Sequence, residues 1–322
     1  MFGEETPVFE KKDKPFDLEA WLSLELPSQY EANAKILNRS GLLDILPETG
    51  GKGIVSIDGK ECPFPKIEDI EAVIRKNPEL FRKKMEQGFT ELEITPFGLP
   101  LETIIKIVEK AIVRHHKEGK LFSTRKNPDD TAEKPTPLEL NAEYPLYQWD
   151  GYSKADPDGK IVYYPEEFSD NHHGKTKIEM LEQAEDKMFK GYNIILRERN
   201  LNIPREGQGE TKGGRKQLET NKKIREYLEI LKTKKEYEGE VGLTPEDRLT
   251  IFLTHLEKTD EVIDDHSGSG SISYQVGAYF PPDGGVPISC WYRGHRQFDL
   301  GRGDPGGRVS RDGSASGVRI NA

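Results

Sequence analysis

Ile67, Ile70, Val73 and Ile74 recur at three- and four-residue spacing, the period that gathers side chains on one face of a helix. Asn77-Pro78 then reads as an N-cap with proline in the first turn of a second helix, which carries Leu80, Phe81 and Met85 and stops near Gly88. The clearest stripe is Leu101, Ile104, Ile105, Val108, Ala111 and Ile112. It ends in His115-His116-Lys117 before Gly119, as the helix dipole favours cations at its carboxyl end and glycine just beyond it. Further helices are predicted over about 175–188 and 218–232, the second carrying Leu218, Ile224, Leu228 and Leu231. Leu243-Thr-Pro-Glu-Asp247 opens another, with Thr244 as N-cap, Pro245 at its first position and a stripe of Leu249, Phe252, Leu253 and Leu256. Strands are predicted where short apolar runs meet turn residues: Gly53 to Gly59, Tyr144 to Trp149 and Ile161 to Tyr164. Beyond residue 262 the pattern turns to β, with Ile272, Tyr274, Val276, Ala278 and Phe280 alternating and further runs at Ile288–Tyr292 and Val318–Ile320.

This order predicts an α+β protein: a polar arm over 1–20, a smaller mixed α/β domain over 21–125, a linker over 126–143 and a second domain over 144–322. The linker reading rests on a stretch rich in Asp, Pro, Thr, Lys and Glu. No run approaches the roughly 18 apolar residues of a membrane span, and the N-terminus has no basic segment followed by an apolar one. The expected location is therefore the cytoplasm or a virus particle, without membrane insertion.

The net charge of −10 argues against an extended nucleic-acid surface, which needs clustered lysine and arginine. Cys62 and Cys290 alone support neither a disulfide framework nor a multi-cysteine zinc site. Gly207 to Arg215 imitates a phosphate loop, but Arg215 and Lys216 stand where lysine and a hydroxyl residue are required, and no apolar strand precedes it. Asn171-His172-His173-Gly174 reads as a polar loop, and His115-His116 as a helix end. Asp264-Asp265-His266 offers oxygen ligands but lacks the spacing of a calcium loop. Neither a metal nor a cofactor is expected, nor a catalytic group.

Charge changes the picture more when read regionally. Up to Glu261 the chain holds 30 lysines and 37 glutamates; residues 262–322 hold none of either, yet contain 12 of the 31 glycines. Within this tail, bulky or restrictive residues (Trp291, Arg296, Gln297, Leu300, Pro305, Val318, Ile320) alternate irregularly with a second set. That set is Tyr292, Gly294, His295, Phe298, Asp299, Gly301, Gly303, Gly307, Val309, Arg311 and Asp312. Tyrosine and arginine bring contact area and directional hydrogen bonds, glycine brings adaptability, and such mixtures suit a binding surface.

Cys290-Trp-Tyr-Arg-Gly-His-Arg-Gln297, Asp304-Pro305 and Gly313-Ser-Ala-Ser-Gly-Val-Arg-Ile320 resemble the variable region, about 291–320, of diversity-generating retroelement target proteins. Ile203 to Leu218 and Leu243 to Asp247 resemble the scaffold of the archaeal and archaeal-virus members. The resemblance implies a C-type lectin fold over 144–322 that binds a protein or surface ligand through diversified side chains. It implies mutagenesis at template adenines, which turns AAC codons into NNC. Such codons encode Tyr, His, Arg, Asp, Gly, Ser, Phe and Val but never Lys, Glu, Gln, Met or Trp, and all eleven positions of the second set obey that restriction. The alternative is a lectin domain with a fixed ligand, or one akin to formylglycine-generating enzymes.

Overall fold

The computed structural model describes residues 16–320 apart from 128, 129, 131 and 186. Most of the expected N-terminal arm lies outside this range, but from Leu18, which is buried, the chain already belongs to the core. A helical rod runs through α1 (Leu18–Ala20), a π-helical turn (Trp21–Glu25) and α2 (Leu26–Ser40), and Gly41 ends it in the left-handed conformation, φ 83°. A meander of β1 (Asp44–Ile45), β2 (Lys52–Val55) and β3 (Glu61–Pro63) follows. Next come α3 (Ile67–Lys76), α4 (Pro78–Glu86), β4 (Phe89–Thr95) and α5 (Leu101–Lys117). The rest comprises β5 (Leu146–Gln148), β6 (Val162–Tyr163), α6 (Lys177–Gln183), β7 (Asn193–Glu198), β8 (Thr211–Lys212), β9 (Arg215–Lys216), α7 (Ile224–Thr233), β10 (Glu240–Gly242) and α8 (Pro245–Thr259). The tail forms β11 (Ser273–Tyr274), β12 (Ala278–Tyr279), β13 (Val286–Tyr292), β14 (Gln297–Gly303), β15 (Gly313–Ser314) and β16 (Ser316–Arg319).

Two sheets organise the molecule. One has the antiparallel order β10-β16-β7-β4, the other β15-β11-β13-β14-β5. The first corrects the expected division into domains. β4, from the N-terminal half, pairs along its length with β7, and α5 packs on α8, so the larger of two core clusters runs from Leu18 to Ile320 across both halves, beside a smaller one around Tyr227, Tyr274 and Val286. The expected linker does not separate two cores either. Leu138 and Leu140 pack against the core, and the Asn141 amide donates to the Arg296 carbonyl (2.7 Å).

α8 touches both sheets, contacting β4 while Phe252 lies 4.5 Å, ring to ring, from Phe298 of β14. Its cap is as expected: Thr244 Oγ1 accepts from the Asp247 amide (3.1 Å) and Asp247 accepts in return from the Thr244 amide (3.0 Å). Its polar face, however, is buried as well. Lys177 Nζ sits 2.9 Å from both Asp156 and Glu246 and donates to the Leu99 carbonyl, and all three charged residues are buried. Arg248 is paired with Asp264, and Thr254 donates to Glu93 (2.9 Å). Burying charges is tolerable when each is paired and hydrogen-bonded. Arg215, from the glycine-rich segment, is one more such group: it donates to Glu240 (2.7 Å) and Glu198 (2.7 Å) and stacks over Phe89, while Lys84 also meets Glu240 (2.7 Å). Both cysteines are free and buried.

Candidate functional site

β13 and β14 form a hairpin closed by Arg293, Gly294, His295 and Arg296, the last at φ 58°. Side chains alternate across a strand, so the register decides which residues share a face. Cys290 lies opposite Asp299, Tyr292 opposite Gln297 and Ile288 opposite Gly301, and on the neighbouring edge strand Tyr147 lies opposite Asp299. These form the outer face; Trp291, Phe298 and Leu300 project from the inner face into the core.

At the open end of that face the His295 ring meets the Tyr292 ring edge-on at 4.5 Å, and His295 Nδ1 lies 3.9 Å from Asp299. Tyr292 reaches in turn toward His266, 6.3 Å between rings, and His266 Nδ1 is 4.0 Å from Asp312. The loop 304–312 borders the same face and is tied down at both ends. Pro305 accepts from the Arg225 amide (3.1 Å), Ser310 from Thr220 Oγ1 (3.0 Å) and Asp312 from the Asn221 amide (3.1 Å). Between those ties Val309 and Arg311 are exposed. Arg311 also lines a groove of about 920 Å³ with Lys126, Asn202 and Arg205.

Burial raises the carboxyls of Asp299, against the Gln297 hydrogen bond, and of Asp312, against the one from Tyr274. Cys290 lies between them. Burial, then Asp299, Asp264, Asp312 and Asp265, push its thiol far up, so it is protonated at neutral pH and a poor nucleophile. The acidic pair behind the hairpin is occupied: Asp264 is held by Arg248, and Asp265 accepts from Arg293 at 2.7 and 2.5 Å. Among the described residues no three His, Cys, Asp or Glu side chains are grouped to hold a metal.

Tyr292, Gly294, His295, Asp299, Gly301, Gly303, Gly307, Val309 and Arg311 are at least partly open to solvent. Phe298 and Asp312 are not, and the expectation that they are displayed is corrected: Phe298 is fully buried against Phe252, and Asp312 is buried under the Tyr274 hydroxyl (3.2 Å). Gly303 has little room for another side chain, because a Cβ there would come within 2.7 Å of Ile224 Cδ1 and 3.1 Å of Ile288 Cγ2. At Gly301 a Cβ would make ordinary contact, 3.5 Å from Ile288. Urea denaturation should therefore find Gly303→Ala destabilised by about 1–3 kcal/mol through overpacking, and Gly301→Ala within about 0.5 kcal/mol of the parent. Tyr147 and Arg205 carried no site signal in the sequence, and His266 was singled out only beside Asp264 and Asp265 as a possible metal ligand. Tyr147 joins the face only through the parallel pairing of β5 with β14, which no local pattern encodes.

Fold and site together define a mixed α and β protein whose C-terminal hairpin presents a partly open sheet face, polar at its turn end around Tyr292, His295 and Asp299. No protein-family model, curated protein or solved structure matches the chain.

Proposed function

We propose that this chain is a recognition protein of the diversity-generating retroelement type, built on a C-type lectin fold, and that it binds a protein or surface ligand without transforming it. One observation carries the reading. Along the tail, nine of the eleven positions in the diversifiable set are at least partly open, whereas six of the seven restrictive residues, all but the exposed Arg296, are buried. A rigid hairpin with Trp291, Phe298 and Leu300 locked in the core and Tyr292, His295 and Asp299 at least partly open to solvent keeps the ordering cost of binding low. The neutral, enclosed Cys290 thiol gives the enzyme alternative no nucleophile on this face.

The reading is tested by a library randomised at Tyr292, Gly294, His295, Asp299, Val309 and Arg311 and displayed against lysozyme as an arbitrary target. Most members should stay folded, each change shifting stability by only about ±0.5 kcal/mol. Selection should yield specific binders. By contrast, Leu300→Ala should cost about 2–5 kcal/mol. A library that unfolds, or that folds and never yields a binder, sinks the reading. A genomic search for an adenine-rich near-copy of the 3′ coding segment beside a reverse transcriptase gene tests the same proposal independently.

A further inference from the structure

Away from the hairpin, a cavity of about 400 Å³ opens between β6, α6 and the ends of β7 and β16, within the size range of small-molecule sites. Its walls are aromatic and aliphatic, with Phe97, Tyr164, Phe189 and Met180 prominent. Its charge runs against that of the chain: Lys175, Lys187 and Arg319 line it with one carboxylate, Glu166, in a protein of net charge −10.

Arg319 is the unusual group. Its guanidinium stacks over the Tyr164 ring at 4.4 Å, and one terminal nitrogen donates weakly to Asn193 Oδ1 (3.4 Å). Its Nε is shut off from solvent with no hydrogen-bond partner, and no carboxylate pairs with it among the described residues. Arg125, Arg197, Arg215 and Arg248 each have a carboxylate within 3.2 Å. A desolvated guanidinium edge lacking its anion is costly unless something supplies one. Asn193 is itself buried and fixed by Tyr164 (2.9 Å) and Asp247 (3.2 Å), so the Arg319 side chain is held in place. Two wall residues also carry backbone strain: Tyr164 at φ 50° and His173 at φ 51° are left-handed without being glycine. Such strain persists where the surroundings over-determine it, and it gathers at binding sites.

We infer that this cavity binds a small organic carboxylate with an apolar or aromatic body, its carboxylate paired with Arg319 and its body against Phe97, Phe189 and Met180. The site is separate from the hairpin, and its occupancy does not depend on the recognition reading above. It is tested by ¹⁹F NMR titration of the full chain with 4-fluorobenzoate. The parent should bind saturably. The neutral isostere 4-fluorobenzamide and the Arg319→Gln variant should each weaken binding by about tenfold or more, the scale of a lost charged hydrogen bond. Ala184→Trp, which fills the cavity from its α6 side while leaving the Arg319 network intact, should block binding even if Arg319→Gln does not fold. Tyr292→Ala should leave binding unchanged. Absence of saturable binding, equal binding of acid and amide, equal binding by a folded Arg319→Gln, or competition by inorganic phosphate as strong as by benzoate would each overturn the assignment.

Discussion

Replacing Lys177 by methionine should cost about 3–5 kcal/mol, the largest loss expected from any single polar substitution in this protein. Among the described residues the ammonium is the one cation paired with the buried carboxylates Asp156 and Glu246, and it also satisfies the Leu99 carbonyl. Burial alone would lower its pKa, but the two carboxylates reverse that and hold it raised. The Tyr163 hydroxyl bridges the same carboxylates at 2.7 and 2.6 Å. One hydroxyl proton cannot serve both, which fits the raised pKa of Glu246: burial outweighs Lys177, and Glu246 holds its proton more readily. Methionine fills similar volume but leaves negative charge stranded in the core. Urea denaturation of Lys177→Met is the measurement, and a loss below about 1 kcal/mol would mean that the cluster contributes little. Adding Asp156→Asn and Glu246→Gln to Lys177→Met should recover part of the loss, because it removes the stranded charge rather than the contact.

The second large effect is a dependence on pH centred on His255. Burial, reinforced by Arg197, Arg248, Lys258 and Arg125, lowers its pKa to about 3, and its Nε2 is enclosed without a partner. The folded protein therefore holds this imidazole neutral, whereas the unfolded chain protonates it near pH 6.5. The sign follows from linkage. Below pH 6.5 the unfolded state binds the extra proton, so stability present at neutral pH is lost progressively as pH falls toward about 3. This one group should lower the folded-to-unfolded ratio by about tenfold per pH unit across that window. Asp264, Asp299 and Asp312, with raised pKa values, pull the other way at acid pH. The informative quantity is thus the difference between the parent and His255→Gln. Their unfolding free energies should converge or cross between pH 7 and 4, with the variant losing less. Parallel curves would show that His255 is not held neutral.

Both effects depend on contacts that local pattern does not announce. The stripe of α8 was readable from Leu249, Phe252, Leu253 and Leu256, yet Glu246, Asp247, Arg248 and Thr250 on its other face are equally buried. A helical stripe shows which face prefers to leave water; whether the opposite face is wet depends on what packs there. Here Lys177, Asn193 and β4 do so from distant parts of the chain, joined by Asp264 just beyond the helix's own end. β4 and β7 carry an apolar signal of their own: Phe89, Leu92 and Ile94 are buried along one strand, and Ile194-Ile195-Leu196 is a continuous apolar run beyond Gly191. Once paired they make the halves inseparable.

Local sequence determined the helices over 67–76, 78–86 and 101–117, the Thr244 cap and the β character of the tail, because each follows from neighbouring residues and backbone preference. The core cluster shared by both halves, the sharing of one face by Tyr147, Tyr292, Asp299 and the loop to Asp312, the burial of Phe298 and the lack of a carboxylate partner for Arg319 among the described residues were decided by tertiary structure. Strand register and long-range pairing set these, and register turns on which distant strand supplies the complementary edge.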